Sequence, residues 1–165
     1  MSMKIIRAID LGYGRVKLTK NVDENGAVET YSFPSICTIQ SAKSISNGVL
    51  NERKTINVIQ NDVTYEVGQD AHLNADAHTK RVLNDKYIQS NEYFALMKGA
   101  LKLMDVDQID VLVLGTPVSN YEKTKSVLKK NWTGEIAIDD QNSILIKQVK
   151  VYPQPLGGLV HFCSE

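Results

Sequence analysis

The chain has no excess of either charge, very little cysteine and no long apolar run, and each shortage closes off a class of protein. Nineteen lysines and arginines balance nineteen aspartates and glutamates over 165 residues. That balance gives no pointer to nucleic acid, and no long basic block marks a membrane surface. The two cysteines, Cys37 and Cys163, stand far apart without C-x-x-C spacing. They read as free thiols of a reducing compartment and not as a disulfide framework. No apolar stretch approaches the roughly 18 residues of a membrane span. Lys4, Arg7 and Asp10 interrupt the N-terminal apolar stretch where a signal peptide needs continuity. His72, His78 and His161 are dispersed and lack ligand spacing for zinc. Repeats and low-complexity segments are absent. The expectation is a cytoplasmic protein, with no direct contact to nucleic acid or membrane, long enough for one domain or two small lobes.

What is present is a hydrophobic period that changes along the chain. Residues 4–10 predict a strand buried on both faces, and 15–20 its hairpin partner. The polar turn Asp23-Glu24-Asn25-Gly26 leads to a third strand near 28–33, stopped by Pro34. Three strands in succession make a meander and not the strand–helix–strand unit of a dinucleotide-binding fold. Residues 35–52 read as an irregular excursion. Two alternating runs, 55–59 and 63–67, flank Gln60-Asn61-Asp62 and predict a hairpin that projects as a smaller lobe within about 36–90. Residues 72–90 show no clear period.

From Asn91 the period becomes helical. Tyr93, Phe94, Met97, Ala100, Leu101 and Met104 share one face, Lys98 and Lys102 the other, and Ser90 suits the N-cap. Residues 109–114 are nearly all apolar, which predicts a central strand parallel to the first and covered on both faces. Ser119-Asn120-Tyr121-Glu122 has capping-box spacing for a second helix, with Lys129 and Lys130 in its last turn. Residues 133–138 and 143–151 alternate around a polar turn and predict a second hairpin. The sum is an α/β domain with a mixed sheet and flanking helices.

The stretch Asp10-Leu11-Gly12-Tyr13-Gly14-Arg15-Val16-Lys17 carries the chemistry. It places a carboxylate at a strand end, then a two-glycine turn, then a lysine on the returning strand. Gly12 and Gly14 let backbone N–H groups approach phosphate oxygens. Lys17 supplies a point charge, and Asp10 suits a hydrated magnesium ion, which keeps several of its waters. The same spacing also occurs in ordinary hairpin turns. Ser35, beside Pro34, suits either a cleft or a turn, and Gln154 lies between two prolines where a linker residue would also fit.

Five motifs in order resemble the N-terminal half of the actin-like ATPases, a ribonuclease H-like fold with a small inserted β lobe. They are D-L-G-Y-G-R-V-K at 10–17, F-P-S at 33–35, V-G-Q-D-A at 67–71, G-T-P-V-S-N-Y at 115–121 and V-Y-P-Q-P-L-G-G at 151–158. The likeness is greatest to bacterial and archaeal members that include plasmid-segregation filaments of the ParM and StbA type. The resemblance implies ATP or GTP with Mg2+ as cofactors. It gives Asp10 the metal-bound waters, Gly12, Tyr13 and Gly14 the first phosphate loop, and Lys17 the outer phosphates. Gln154 falls where the family orients the attacking water, so Asp10 and Gln154 are the implied catalytic pair. Self-association into filaments and a DNA-binding adaptor protein are the implied partners.

The second phosphate loop, D-x-G-x-x-T, and a glycine-rich adenosine motif are missing from these 165 residues. The chain therefore reads as the N-terminal half of a two-domain protein, inactive by itself. Two other readings belong beside it: a sugar or acetate kinase of the same superfamily, and a non-catalytic scaffold that keeps the fold. A downstream D-x-G-x-x-T in the open reading frame supports the ATPase, and a natural stop after Glu165 the scaffold.

Overall fold

A computed structural model describes residues 4–40, 54–74 and 87–154 of the chain. The N-terminal meander forms as predicted: β1 (Ile6–Leu11), β2 (Arg15–Val22) and β3 (Val28–Pro34) pair antiparallel in sequence. Asp23 closes the β2–β3 turn by accepting the N–H groups of Asn25 (2.9 Å) and Ala27 (2.8 Å) through one carboxylate oxygen. Cys37–Ile39 is a short strand, β4, where an irregular excursion over 35–52 was expected; residues 41–52 of that excursion lie outside the described residues. β4 pairs with β6 (Val63–Gly68), which pairs in turn with β5 (Thr55–Gln60). These three make a sheet of their own. Of residues 72–90, Ala71–Asn74 and Tyr87–Gln89 form single 3₁₀ turns, and 75–86 lie outside the description.

Helix α1 (Asn91–Leu103) begins where Ser90 accepts the Tyr93 N–H at 3.1 Å, the predicted N-cap. It is packed on two sides, against β1 and β2 and also against the β4–β6–β5 sheet. The predicted polar face is consequently not a solvent face. Lys98 donates to the Ile59 carbonyl (2.5 Å), and Lys102 donates to the Asn57 carbonyl (3.1 Å) and Asp139 (2.6 Å). Burial lowers the Lys98 pKa. Gly99 makes this packing close, since a Cβ there would stand 2.5 Å from a Val67 methyl.

The apolar run 109–114 is not one strand. Gln108–Ile109 (β7) joins a small sheet, and Val111–Thr116 (β8) joins the main one. Asp110 makes the break: its carboxylate accepts the Ile5 N–H (2.8 Å) and the Lys147 ammonium (2.7 Å). Helix α2 (Tyr121–Trp132) also departs from expectation. Pro117 opens a 3₁₀ turn over Val118–Asn120, so Ser119 is already within a turn and cannot cap. Glu122 pairs forward with Lys125 at 2.6 Å instead of reaching back. Lys129 and Lys130 do occupy the last turn.

β9 (Gly134–Ala137) and β10 (Ser143–Ile146) form the predicted hairpin, but the second run splits as well. At Lys147 and Gln148 the chain turns, and β11 (Val149–Pro153) enters the main sheet parallel to β8. The main sheet thus runs β11-β8-β1-β2-β3, with β8 parallel to β1 as expected. A third sheet, β7-β10-β9, is joined to β5 by the Ile59 N–H on the Ile138 carbonyl (3.0 Å).

One face of the main sheet is buried: Ile9, Leu11, Val16, Leu18, Phe33, Leu112, Leu114 and Val151 are all at most 9% exposed. The opposite face was expected to be covered too. Among the described residues it is not, and Ile6, Ala8, Val113 and Tyr152 stay half-buried or exposed there. Strand alternation therefore separates a core face from an open one, and Asp10 and Lys17 belong to the open one.

Candidate functional site

The β1–β2 turn is closed by the Gly12 N–H on the Arg15 carbonyl (3.1 Å). Neither Gly12 nor Gly14 has a positive φ, and a Cβ on Gly14 would meet nothing within 4 Å. Ser35 fixes the loop from behind. Its N–H donates to the Gly14 carbonyl (3.1 Å) and its hydroxyl to the Gly12 carbonyl (2.6 Å). With those carbonyls held, the Tyr13 and Gly14 N–H groups have no acceptor among the described residues. Unpaired N–H groups in a tight turn form an anion-binding concavity.

Asp10 and Gln154 meet although 144 positions separate them: the Gln154 side-chain N–H donates to Asp10 Oδ1 at 2.7 Å. The topology brings this about. β8 lies between β1 and β11, so the ends of β1 and β11 flank it at the same level. Lys17 stands directly across from Asp10 in the β1–β2 register and makes no ion pair among the described residues. Arg15 is spent on Ser32, with its guanidinium bonded to both the hydroxyl (3.0 Å) and the carbonyl (3.1 Å).

Asp10, Lys17 and Gln154 line an open groove of about 990 Å³. Gly12, Tyr13 and Gln154 line an adjoining hollow of about 110 Å³ beneath the loop. Gln154 is shared by both. Gly14 stands at the loop tip with open space beside it. The structure thus brings the residues singled out in the sequence to one end of the sheet, with Asp10 and Lys17 on its open face and Gly12 and Tyr13 over the helix side.

A family model described as "Actin like proteins N terminal domain" matches residues 8–157. The chain belongs to this family. Solved structures with the same fold include apo ParM of psk41 (TM-score 0.70, 18% identity, 96% of this chain and 52% of that one). They also include a filament of AlfA bound to AMPPNP (0.66, 18%, 95% and 57%). An archaeal actin homologue is a third (0.68, 18%, 97% and 48%). At such identities the likeness is one of fold, and the chain spans about half the length of each. Among curated proteins there is no match.

Within this actin-like domain the motifs divide by role. F-P-S supplies Ser35, a loop-holding residue that sequence reasoning left between cleft and turn; its place directly after Pro34 at a strand end was the available signal. G-T-P-V-S-N-Y supplies a buried hydroxyl pair. Thr124 donates to the Asn120 carbonyl (2.8 Å), so Thr116 donates to Thr124 (3.1 Å), which ties β8 to α2. V-G-Q-D-A is a packing motif away from the groove. Val67 seats on Gly99, Ala71 is fully buried, and Asp70 accepts the Lys54 N–H at 2.8 Å.

Tyr87 was not singled out by the sequence at all. Its ring lies 5.7 Å from that of the exposed Tyr13 and 5.4 Å, edge-on, from Tyr93. Burial pushes the Tyr87 and Tyr93 hydroxyls well above the ordinary tyrosine range, so both stay protonated. Burial likewise pushes the Cys37 thiol up to about 12, which makes it an inert thiol.

Proposed function

We propose that this domain is the nucleotide-binding half of an actin-like, filament-forming ATPase that takes ATP or GTP with Mg2+. The observation that carries the reading is the Asp10–Gln154 contact beside a loop whose Tyr13 and Gly14 N–H groups have no acceptor among the described residues. In-line phosphoryl transfer needs positioning and electrostatics more than a strong base. Gln154 supplies positioning: its amide N–H is held by Asp10, which leaves the amide oxygen to accept a proton of the attacking water. The loop N–H groups and Lys17 suit the negative oxygens of the outer phosphates.

The donor set fits magnesium. Asp10 offers one carboxylate, with Oδ2 unbonded among the described residues, and no cluster of three or more metal-binding side chains occurs there. Magnesium is commonly held by one or two carboxylates plus phosphates and waters. When bound it neutralises charge on the phosphates.

Filament formation and a role in plasmid segregation, or a related cytomotive task, follow from the family and from an AlfA relative solved as a filament with AMPPNP. A DNA-binding adaptor belongs to the same reading. No helix among the described residues is long and apolar enough to cross a membrane; a cytoplasmic place of work belongs to the proposed reading.

Calorimetric ATP titration and phosphate release on the full-length protein test the proposal. Asp10→Ala should weaken Mg2+-dependent binding and turnover together. Gln154→Ala should leave binding nearly intact and slow hydrolysis by about 2 to 4 kcal/mol, by analogy with a lost oxyanion donor. Unchanged turnover in Gln154→Ala removes that residue from the mechanism. The 165-residue chain alone should bind ATP weakly and hydrolyse it at background; tight binding by it would refute the need for a second half.

A further inference from the structure

We infer that Gly115 is a positioning residue, because the absence of a side chain there is what lets Gln154 reach Asp10. This rests on the roles proposed above for Asp10 and Gln154 and extends them to the strand between. Leu114 pairs with Ile9 on one side of β8 and Gly115 with Tyr152 on the other, so Gly115 sits between the ends of β1 and β11. A Cβ at this position would stand 3.1 Å from Asp10 Oδ1 and 3.2 Å from Gln154 Cγ. The oxygen it would crowd is the one that accepts the Gln154 N–H. Both neighbours would have to give by a few tenths of an ångström, in the one contact that joins the two site residues.

The backbone gives no other reason for glycine. Gly115 lies inside a strand, and its φ is not positive. Glycine weakens a strand interior and often marks a place where another group approaches closely. Here that group is the Asp10–Gln154 pair. Thr116 and Pro117 have separate uses, the first in the hydroxyl pair with Thr124 and the second at the entry to the 3₁₀ turn.

The test is a set of variants of the 165-residue chain, read by the NMR resonances of the Gln154 side-chain amide. Asp10→Ala should move those resonances by removing their acceptor. Gly115→Ala should move them in the same sense, and Asp10→Ala should then add little. Resonances at wild-type positions in Gly115→Ala, or a full further shift on adding Asp10→Ala, overturn the inference. If Gly115→Ala alone does not fold, the triple variant with Asp10→Ala and Gln154→Ala, which removes both crowded neighbours, should recover folding; equal failure of both overturns it.

In the full-length protein Gly115→Ala should lower kcat about tenfold, as small misplacements of reacting groups do. KM should stay within about twofold, and no further loss should appear in a Gln154→Ala background. A loss of equal size in that background overturns the inference. If no nucleotide is hydrolysed at all, the functional reading falls while the amide resonances still decide Gly115.

Discussion

The β5–β6 hairpin turns on two left-handed residues, Asn61 (φ 50°) and Asp62 (φ 61°), and uses no glycine. The β1–β2 hairpin carries two glycines and places neither at positive φ. In the first, backbone conformation is the requirement, and Asn and Asp bear it at modest cost. In the second, conformation does not demand glycine, so the missing side chain itself is the useful property. The surroundings agree. Asn61 is tied down by Asn91 at 2.9 Å, whereas the β1–β2 loop is held through the Gly12 and Gly14 carbonyls and leaves the Tyr13 and Gly14 N–H groups without an acceptor among the described residues. This difference separates an ordinary turn from a candidate phosphate loop when both are polar, short and exposed.

The largest expected effect lies at the other end of the structural hairpin. Gly68 has φ 137°, and a Cβ there would meet the Lys54 carbonyl at 2.6 Å. Gly68→Ala should therefore cost about 3 kcal/mol of stability through strain and overpacking together. A denaturant titration showing less than about 1 kcal/mol would mean that β5 and β6 yield easily.

Gly14→Ala is the counterpart in the loop. Stability should change by no more than about 0.5 kcal/mol, since nothing is crowded. Nucleotide affinity of the full-length protein should fall about tenfold, or about 1.4 kcal/mol. Unaltered affinity would erase the distinction between the two hairpins. Asn61→Ala should give the reverse pattern, a loss of about 1 kcal/mol in stability with nucleotide affinity unchanged.

The smallest effect is one of acidity. The Lys102 hydrogen bond holds the Asp139 carboxyl well below the usual carboxylate range, and the Lys147 hydrogen bond does the same, less strongly, for Asp110. The unfolded chain takes up these protons first as pH falls. The stability they contribute is thus present above the ordinary carboxylate pKa, about 4, and is lost below it. Thermal melts should fall through that range, and Lys102→Met should flatten the part due to Asp139. Amide protection should drop first in β5, beside Lys102, and later in the β2–β3 ladder, which touches neither carboxylate.

Much of this was legible in the sequence because burial imposes a period. The meander, the β5–β6 hairpin and α1 follow from alternation, turn residues and the Ser90 cap. Asp10, Lys17 and Gln154 were named from motifs, but no local pattern shows that 154 lands on 10; that takes a parallel β8 between β1 and β11. The split of 143–151 had a visible trace. Ile144 and Ile146 keep period two, and the next buried residue, Val149, is three further on. The break at Asp110 was hidden by the apolar residues around it, because its cause is a contact with Ile5 more than a hundred positions away. Lys98 and Lys102 were placed only on the face opposite the apolar one, because helical periodicity records which residues are apolar, and not whether a charged one meets a neighbouring strand.

Trp132, the only tryptophan in the chain, lies fully buried with its ring 5.2 Å from Phe94. From there, successive ring contacts lead through Tyr93 and Tyr87 to Tyr13 at the loop, each pair of centroids within 6.5 Å. The molecule therefore has a built-in optical ruler. Light absorbed by the indole alone reports the α1–α2 contact and is blind to the loop. Light absorbed by the tyrosines and passed on as excitation energy to Trp132 also depends on whether Tyr13 stays stacked on Tyr87. Comparing the two excitation bands would follow the loop in the unlabelled protein.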